Sequence, residues 1–188
     1  MKKRCAWLTF DDPLYVAYHD NEWGVPLHDD ARHFEFLLLE TMQAGLSWRT
    51  VLHKRENFRK AFAGFDPAKI IRFDQKDVQR LLSDAGIIRN KVKILSVINN
   101  AHRFLEISEE FGSFDAFIWR FVGGKPIKNG YSHVNQIPAS TKESDTLSKD
   151  LKRRGFKFVG STTCYAHMQA AGLVNDHTTD CFRYHEVS

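Results

Sequence analysis

The sequence lacks long hydrophobic runs. Its apolar stretches are short: Phe36-Leu37-Leu38-Leu39 ends at once on Glu40, and nothing approaches the roughly eighteen apolar residues of a membrane-crossing helix. Nor is a secretory signal expected, because no apolar segment stands behind the basic stretch Met1-Lys2-Lys3-Arg4-Cys5. Cysteine is scarce, with three in 188 residues. An odd count without an export signal argues against a disulfide framework and predicts a reducing, cytoplasmic setting, where cysteines serve as core residues, nucleophiles or metal ligands. Internal repeats, low-complexity tracts and strands of convincing length are missing. So is one-sided charge: 27 basic against 23 acidic residues leave only +4, which matters only where it clusters, at Arg89 to Lys93 and at Lys149 to Lys157. From charge alone each cluster reads first as a solvated helix face. What is present, 43% hydrophobic and 27% charged residues, excludes disorder and a fibrous chain.

The apolar periodicity is helical almost throughout. Phe34, Leu37, Leu38 and Met42 share a face, and the run from Ala31 stops at Gly45. Ser47 caps a predicted helix carrying Trp48, Val51, Leu52, Phe58 and Phe62 to about Gly64. Asp66-Pro67 is a start signal, since aspartate caps and proline suits the first turn. Asp74 opens a short helix with Val78, Leu81 and Leu82, and a longer one from about Arg89 holds Ile94, Val97, Ile98, Ala101 and Leu105. Phe114, Phe117, Ile118 and Phe121 mark another. The pattern lapses from Gly123 to Pro138, but Val134 and Ile137 still punctuate it, so it reads as a loop and not as a linker between domains. Ser140-Thr-Lys-Glu143 predicts a capping box and a helix to Gly155; a last helix runs from about Ser161 to Ala171 and stops at Gly172. The expected fold is an all-α helical bundle forming a single domain over residues 1–188.

Three features carry chemistry. His177-Thr-Thr-Asp-Cys181 is an H-x3-C pair, which one helical turn would bring onto one face, and Cys5 precedes His19 by a loop-sized gap. Two cysteines and two histidines make a closed zinc set, which would join the N-terminal and C-terminal segments, about 1–28 and 173–188; the alternative is two partly buried cysteines and two surface histidines. Leu81-Leu82-Ser83-Asp84-Ala85-Gly86-Ile87, followed by Ile88-Arg89-Asn90-Lys91-Val92-Lys93-Ile94, reads as helix, Gly-centred hairpin, helix, over about 75–108. Such a hairpin would aim backbone N–H groups around Gly86 at a phosphate, with Arg89, Lys91 and Lys93 alongside, and would grip a nucleic-acid backbone without reading sequence. A plain αα-corner with Gly86 as a cap fits equally. Third, Trp7, Tyr15, Tyr18, Trp23 and Trp48 gather in the first quarter of the chain near Glu40, in a stretch poor in aliphatics. Stacked rings about a carboxylate suit a flat cationic ligand, whereas a core is the ordinary use of tryptophan and a surface ion pair the ordinary use of such a glutamate.

Together these features resemble the 3-methyladenine DNA glycosylase I family of the helix-hairpin-helix superfamily, over nearly the whole chain. The resemblance rests on Asp12-Pro-Leu-Tyr15, Tyr18-His-Asp-Asn-Glu-Trp-Gly-Val25, Gln43-Ala-Gly-Leu-Ser-Trp48, Lys54-Arg-Glu-Asn57, Asp84-Ala-Gly-Ile-Ile-Arg89, Arg154-Gly-Phe-Lys-Phe-Val-Gly160 and Gly172-Leu-Val-Asn-Asp-His177. It implies a monomeric DNA-repair enzyme that flips out and hydrolytically releases 3-methyladenine from alkylated double-stranded DNA. It implies one structural zinc on Cys5, His19, His177 and Cys181. It makes Glu40 the acidic residue that acts on the methylated base and bonds to it, Tyr18 and Trp48 the enclosing rings, and Trp7 and Trp23 further pocket aromatics. Leu46 matches the apolar wedge that fills the gap left by the flipped nucleotide. Two departures are expected to matter locally: Met42, as a change in the pocket wall, and Arg49, as an added phosphate contact. No aspartate lies between Asp115 and Asp145 to stabilise a sugar cation, and Asn90 stands where lyase-competent relatives carry an amine. The implied enzyme is monofunctional. A glycosylase/lyase acting through Lys91 and a non-enzymatic zinc-stabilised DNA-binding module are the competing classes.

Overall fold

Side-chain caps set most helix starts. In the computed structural model, which describes residues 2–9 and 11–187, Asp12 caps α1 (Pro13–Asn21), Asp29 caps α2 (Asp30–Gln43) and Ser47 caps α3 (Trp48–His53). α4 (Arg55–Ala61) follows without a side-chain cap, and Asp66 caps α5 (Pro67–Ile70). Asp74 and Asp77 form a capping box at α6 (Gln75–Ser83), Asn90 caps α7 (Lys91–Phe111) and Ser113 caps α8 (Phe114–Trp119). Thr141 caps α9 (Lys142–Arg153), and α10 (Ser161–Ala170) follows Gly160. In each capped case a side-chain oxygen takes an N–H that the first turn cannot pair internally. No helix among the described residues is long and apolar enough to cross a membrane.

The structure corrects several boundaries. The helix expected over 47–64 breaks at Lys54, whose φ/ψ of −95°/0° separates α3 from α4. The long helix starts at Lys91, because Asn90 is extended and its side chain takes the Lys93 N–H. The capping box before α9 is made by Thr141 and Ser144, one residue later than expected. Two short strands are present, β1 (Ile127–Lys128) and β2 (Val174–Asn175), paired in parallel. They tie the 123–138 loop to the segment after α10.

The core surrounds α2, which touches α3, α7, α8 and α10. Every residue from His33 to Met42 is buried; a helix buried on all sides brings its polar residues inside with it. That is why Glu40 is interior although it interrupts an apolar run. A second, smaller cluster joins Cys5, Tyr18, Trp23, Phe36, Leu52, Ala170 and Cys181, so the two chain ends meet there. The close approach depends on Gly172: its φ is +68°, and a Cβ there would lie 2.3 Å from the Val25 carbonyl carbon. Gly24 and Leu27 donate to the Gln169 and Ala171 carbonyls beside it.

Candidate functional site

Two neighbouring residues of α1 enter two different sites, Tyr18 a cavity and His19 a cluster of metal-type ligands. The cavity measures ≈ 390 Å³, within the usual size of a small-molecule site. Its walls are Trp7, Tyr15, Tyr18 and Trp23 from the N-terminal segment, Glu40 and Gln43 from α2, Trp48 from α3, residues 137–139 and Val134 from the loop, and Thr162, Tyr165, Ala166 and Gln169 from α10. Trp7 meets Trp23 edge-on at 4.9 Å between ring centroids and Tyr15 at 5.4 Å. Tyr18 and Trp48 lie 5.3 Å apart at 46°. They touch each other and form adjoining walls, not parallel plates with a gap between them.

Among the described residues, polar groups of the cavity are left without partners. Glu40 is 4% exposed, and no hydrogen bond or ion pair reaches its carboxylate from the described residues. Burial pushes its pKa up to about 8, since the charged form has lost water and gained nothing in return. The indole N–H groups of Trp7 and Trp48 are likewise buried without an acceptor. A ligand carrying positive charge and N–H donors would supply what Glu40 lacks. Behind the α10 wall, Asp176 accepts from the Tyr165 hydroxyl (2.6 Å), Gln169 Nε2 (2.8 Å) and Asn129 Nδ2 (2.7 Å), which fixes two of the lining side chains.

The cluster is different. Cys5, His19, His177 and Cys181 are all buried, and their ligand atoms lie within 4.8 Å of one another. Cys5 Sγ and Cys181 Sγ stand 3.4 and 3.5 Å from His177 Nδ1, and Cys181 Sγ stands 3.6 Å from His19 Nε2. A tetrahedral metal with Zn–S of about 2.3 Å and Zn–N of about 2.05 Å would place S and N about 3.5 Å apart, so the donor set fits. The outer ring nitrogens are committed as well. His19 Nδ1 lies 2.8 Å from Asp20, which Arg4 grips through two nitrogens, and His177 Nε2 lies 3.0 Å from the Trp23 carbonyl. Those partners turn His19 Nε2 and His177 Nδ1 inward as ligands. Without a metal, hydrogen bonding from the Cys5 thiol pulls the Cys181 thiol down toward thiolate, while Cys5 moves up. The four residues form a site able to hold a metal ion.

The segment between α6 and α7 is a tight hairpin. Gly86 donates its N–H to Asp84 Oδ1 at 2.8 Å, so that amide is already committed and is corrected from an expected phosphate donor. Its carbonyl accepts from Lys54 Nζ and Asn57 Nδ2, both at 3.2 Å, which gives the Lys54-Arg-Glu-Asn57 motif its task. A Cβ on Gly86 would sit 3.0 Å from Asp84 Oδ1 and 3.1 Å from Asn57 Nδ2. Beyond it, no hydrogen bond from the described residues occupies the Ile88 and Arg89 amides, and the Arg89 and Lys91 side chains are exposed. Leu46, on the turn between α2 and α3, is 41% exposed.

The residues matched by a family model complete the case. The model of the methyladenine glycosylase family matches residues 7–184. The chain belongs to this family. It is 52% identical over 182 residues to DNA-3-methyladenine glycosylase 1 of Escherichia coli K12, covering 97% of each chain. It is 45% identical to the DNA-3-methyladenine glycosylase of Haemophilus influenzae, covering 96% of this chain and 97% of that one. Among solved structures, a crystal structure of 3-methyladenine DNA glycosylase I superposes with a TM-score of 0.93 at 53% identity, covering 96% of this chain and 98% of the other. The Staphylococcus aureus enzyme, described for its recognition of 3-methyladenine, superposes at 0.91 with 40% identity, covering 95% of both chains.

Of the residues expected from the sequence, the cavity gathers Trp7, Tyr18, Trp23, Glu40 and Trp48, and the cluster gathers Cys5, His19, His177 and Cys181. Besides the Gly86 amide, two expectations fail. Lys93 is no exposed phosphate contact: it is 6% exposed, and its ammonium donates to the Met42 and Ala44 carbonyls. Met42 is fully buried in the main core and does not line the cavity. Arg49 is paired with Asp12 at 2.7 Å and lies 3.7 Å from Asp11, with its side chain still 45% exposed. The α10 wall was missed, although Thr162, Tyr165, Ala166 and Gln169 follow i, i+3, i+4, i+7 spacing with a small or polar residue at most steps.

Proposed function

We propose that this chain binds double-stranded DNA as a monomer, draws an alkylated nucleotide into the aromatic cavity and hydrolyses its N-glycosyl bond to release 3-methyladenine. The observation that carries the reading is Glu40, a buried carboxyl group without a partner among the described residues, inside a ring of aromatic walls in a chain of this family. N3-methylation makes the base cationic within the nucleotide, and bond cleavage lets it leave as a neutral molecule that needs little protonation. The cationic base brings the counter-charge that lets Glu40 release its proton to solvent, and the carboxylate then accepts from the exocyclic amine and favours the cation, while the Tyr18 and Trp48 walls and the edge-on Trp7–Trp23 pair cover the ring faces. Normal adenine offers neither the charge nor the labile bond, so discrimination acts on binding and on leaving-group chemistry together.

The exposed Leu46 occupies the space of the displaced nucleotide, and the hairpin with Arg89, Lys91 and the amides beyond Gly86 grips the backbone. No lysine lines the cavity among the described residues, and Asn90 is used as the cap of α7, which favours hydrolysis over Schiff-base chemistry. Zinc is the metal that Cys5, His19, His177 and Cys181 would hold. With four protein ligands its contribution is to join the chain ends, with no position left to activate water. Incubation with alkylated duplex and chromatography of the freed bases tests the reading. 3-Methyladenine should dominate the released material, and its absence would reject the assignment, as covalent borohydride trapping of the chain on damaged duplex would reject the hydrolytic step.

A further inference from the structure

The Lys93 ammonium sits under the turn that carries Leu46. Residues 43–46 form a type II turn: Ala44 has φ/ψ of −46°/114° and Gly45 a φ of +79°, and the Leu46 N–H donates to the Gln43 carbonyl at 2.6 Å. Types I and II differ by a flip of the central peptide, whose oxygen in this turn is the Ala44 carbonyl. Lys93 Nζ donates to that oxygen at 2.6 Å and to the Met42 carbonyl, in the last turn of α2, at 2.8 Å. A buried ammonium at a helix C-terminus also opposes the negative end of the helix dipole. Lys93 belongs to the first turn of α7, and its own N–H is taken by the Asn90 cap directly behind the hairpin. One side chain thus bridges the hairpin helix and the Leu46 turn.

We infer that Lys93 is a positioning residue that locks the 43–46 turn in its type II form and registers the Leu46 wedge against the phosphate-gripping hairpin. This rests on the wedge reading of Leu46 given above. Lys93 does not line the cavity, so its effect should fall on flipping and leave binding of the free base alone. Gly45 offers a second way to disturb the same turn: its positive φ suits glycine, and a Cβ there meets nothing within 4 Å, so Gly45→Ala strains the turn without a clash.

The test compares Leu46→Ala, Lys93→Met, Gly45→Ala and the two double variants, each by titration with free 3-methyladenine and by single-turnover release from methylated duplex. Lys93→Met and Gly45→Ala should each bind the free base within about twofold of wild type yet release it from duplex about tenfold more slowly, and adding Leu46→Ala should slow either by less than about twofold more. Lys93→Arg should recover part of the rate. Gly45→Ala carries the test alone if Lys93→Met does not fold. Multiplying effects in the double variants, or a parallel loss of free-base affinity, would overturn the inference while leaving the wedge intact. An unchanged duplex rate in Leu46→Ala would remove the wedge and this inference with it.

Discussion

The cavity and the metal-ligand cluster share α1, lie side by side and are both built from buried polar and aromatic residues, yet they treat hydrogen bonds in opposite ways. In the cluster every outer nitrogen is committed: His19 to Asp20, Asp20 to Arg4, His177 to the Trp23 carbonyl. In the cavity Glu40 and the indole N–H groups of Trp7 and Trp48 have no hydrogen-bond partner among the described residues. Buried groups that are satisfied by the protein hold a fixed geometry, and those that are not store a demand that a ligand can meet. The first arrangement suits structure, the second recognition.

The largest test of that contrast is Cys181→Ala. It removes one ligand from a fully committed site and should lower stability by about 4 kcal/mol or more, while the folded fraction keeps its affinity for free 3-methyladenine. Metal analysis together with calorimetry reads both; an unchanged melting temperature would make the cluster ornamental.

The Glu40 carboxyl sharpens the other side through pH. Its folded pKa is raised from 4.5 to about 8, so between those values the folded state holds a proton that the unfolded chain gives up. The stability this provides is complete below pH 4.5 and is lost as pH rises through 8. Glu40→Gln cannot lose it, so the variant should gain on wild type across that window by a difference on the order of 3 kcal/mol. Parallel melting curves for the two proteins from pH 5 to pH 8 would show that Glu40 has a partner after all.

The same substitution should weaken free-base binding by about 1–3 kcal/mol, the value of one charge-assisted hydrogen bond, and slow release from DNA. Stability and binding would then move in opposite directions at one residue, the signature of an unsatisfied site. Calorimetric titration giving the wild-type affinity would move base recognition elsewhere in the cavity. The smallest effect is expected at the hairpin: Lys91→Ala should reduce the slope of log affinity against log salt by about 1, equally across sequences. A wild-type slope would mean that Lys91 reaches no phosphate.

The helix starts at Ser47, Asp66 and Asp74 were readable because a cap is a local event, set by that residue and the two or three after it, whereas Asp12 before α1 was not read as one. Composition and spacing had already singled out the cluster and cavity residues, but their roles came through the family resemblance, since spacing left Cys5 and Cys181 open between ligands and partly buried cysteines, and His19 and His177 between ligands and surface histidines. Lys93 was misread because charge pattern assigns a lysine between Lys91 and Ile94 to the exposed face, while its fate depends on the α2 carbonyls, some fifty positions away in sequence. The Arg49–Asp12 ion pair was hidden likewise, since Asp12 approaches Arg49 only after α1 packs against α3. The α10 wall became visible only once the 134–139 loop folded over it.

Cys5 meets His177 across 172 residues of chain. Closing a loop of that length costs roughly 4–5 kcal/mol of chain entropy, and the contact cannot form until the second partner has been synthesised. Until α10 (Ser161–Ala170) has been made, Trp7 and Trp23 have no wall opposite them, and until Cys181 follows, the ligand cluster beside Tyr18 is incomplete. A growing chain therefore passes through most of its synthesis with its aromatic residues made but its cavity unbuilt. Completion of the cavity and joining of the ends are both late events, so a product truncated before α10 lacks one wall of the cavity.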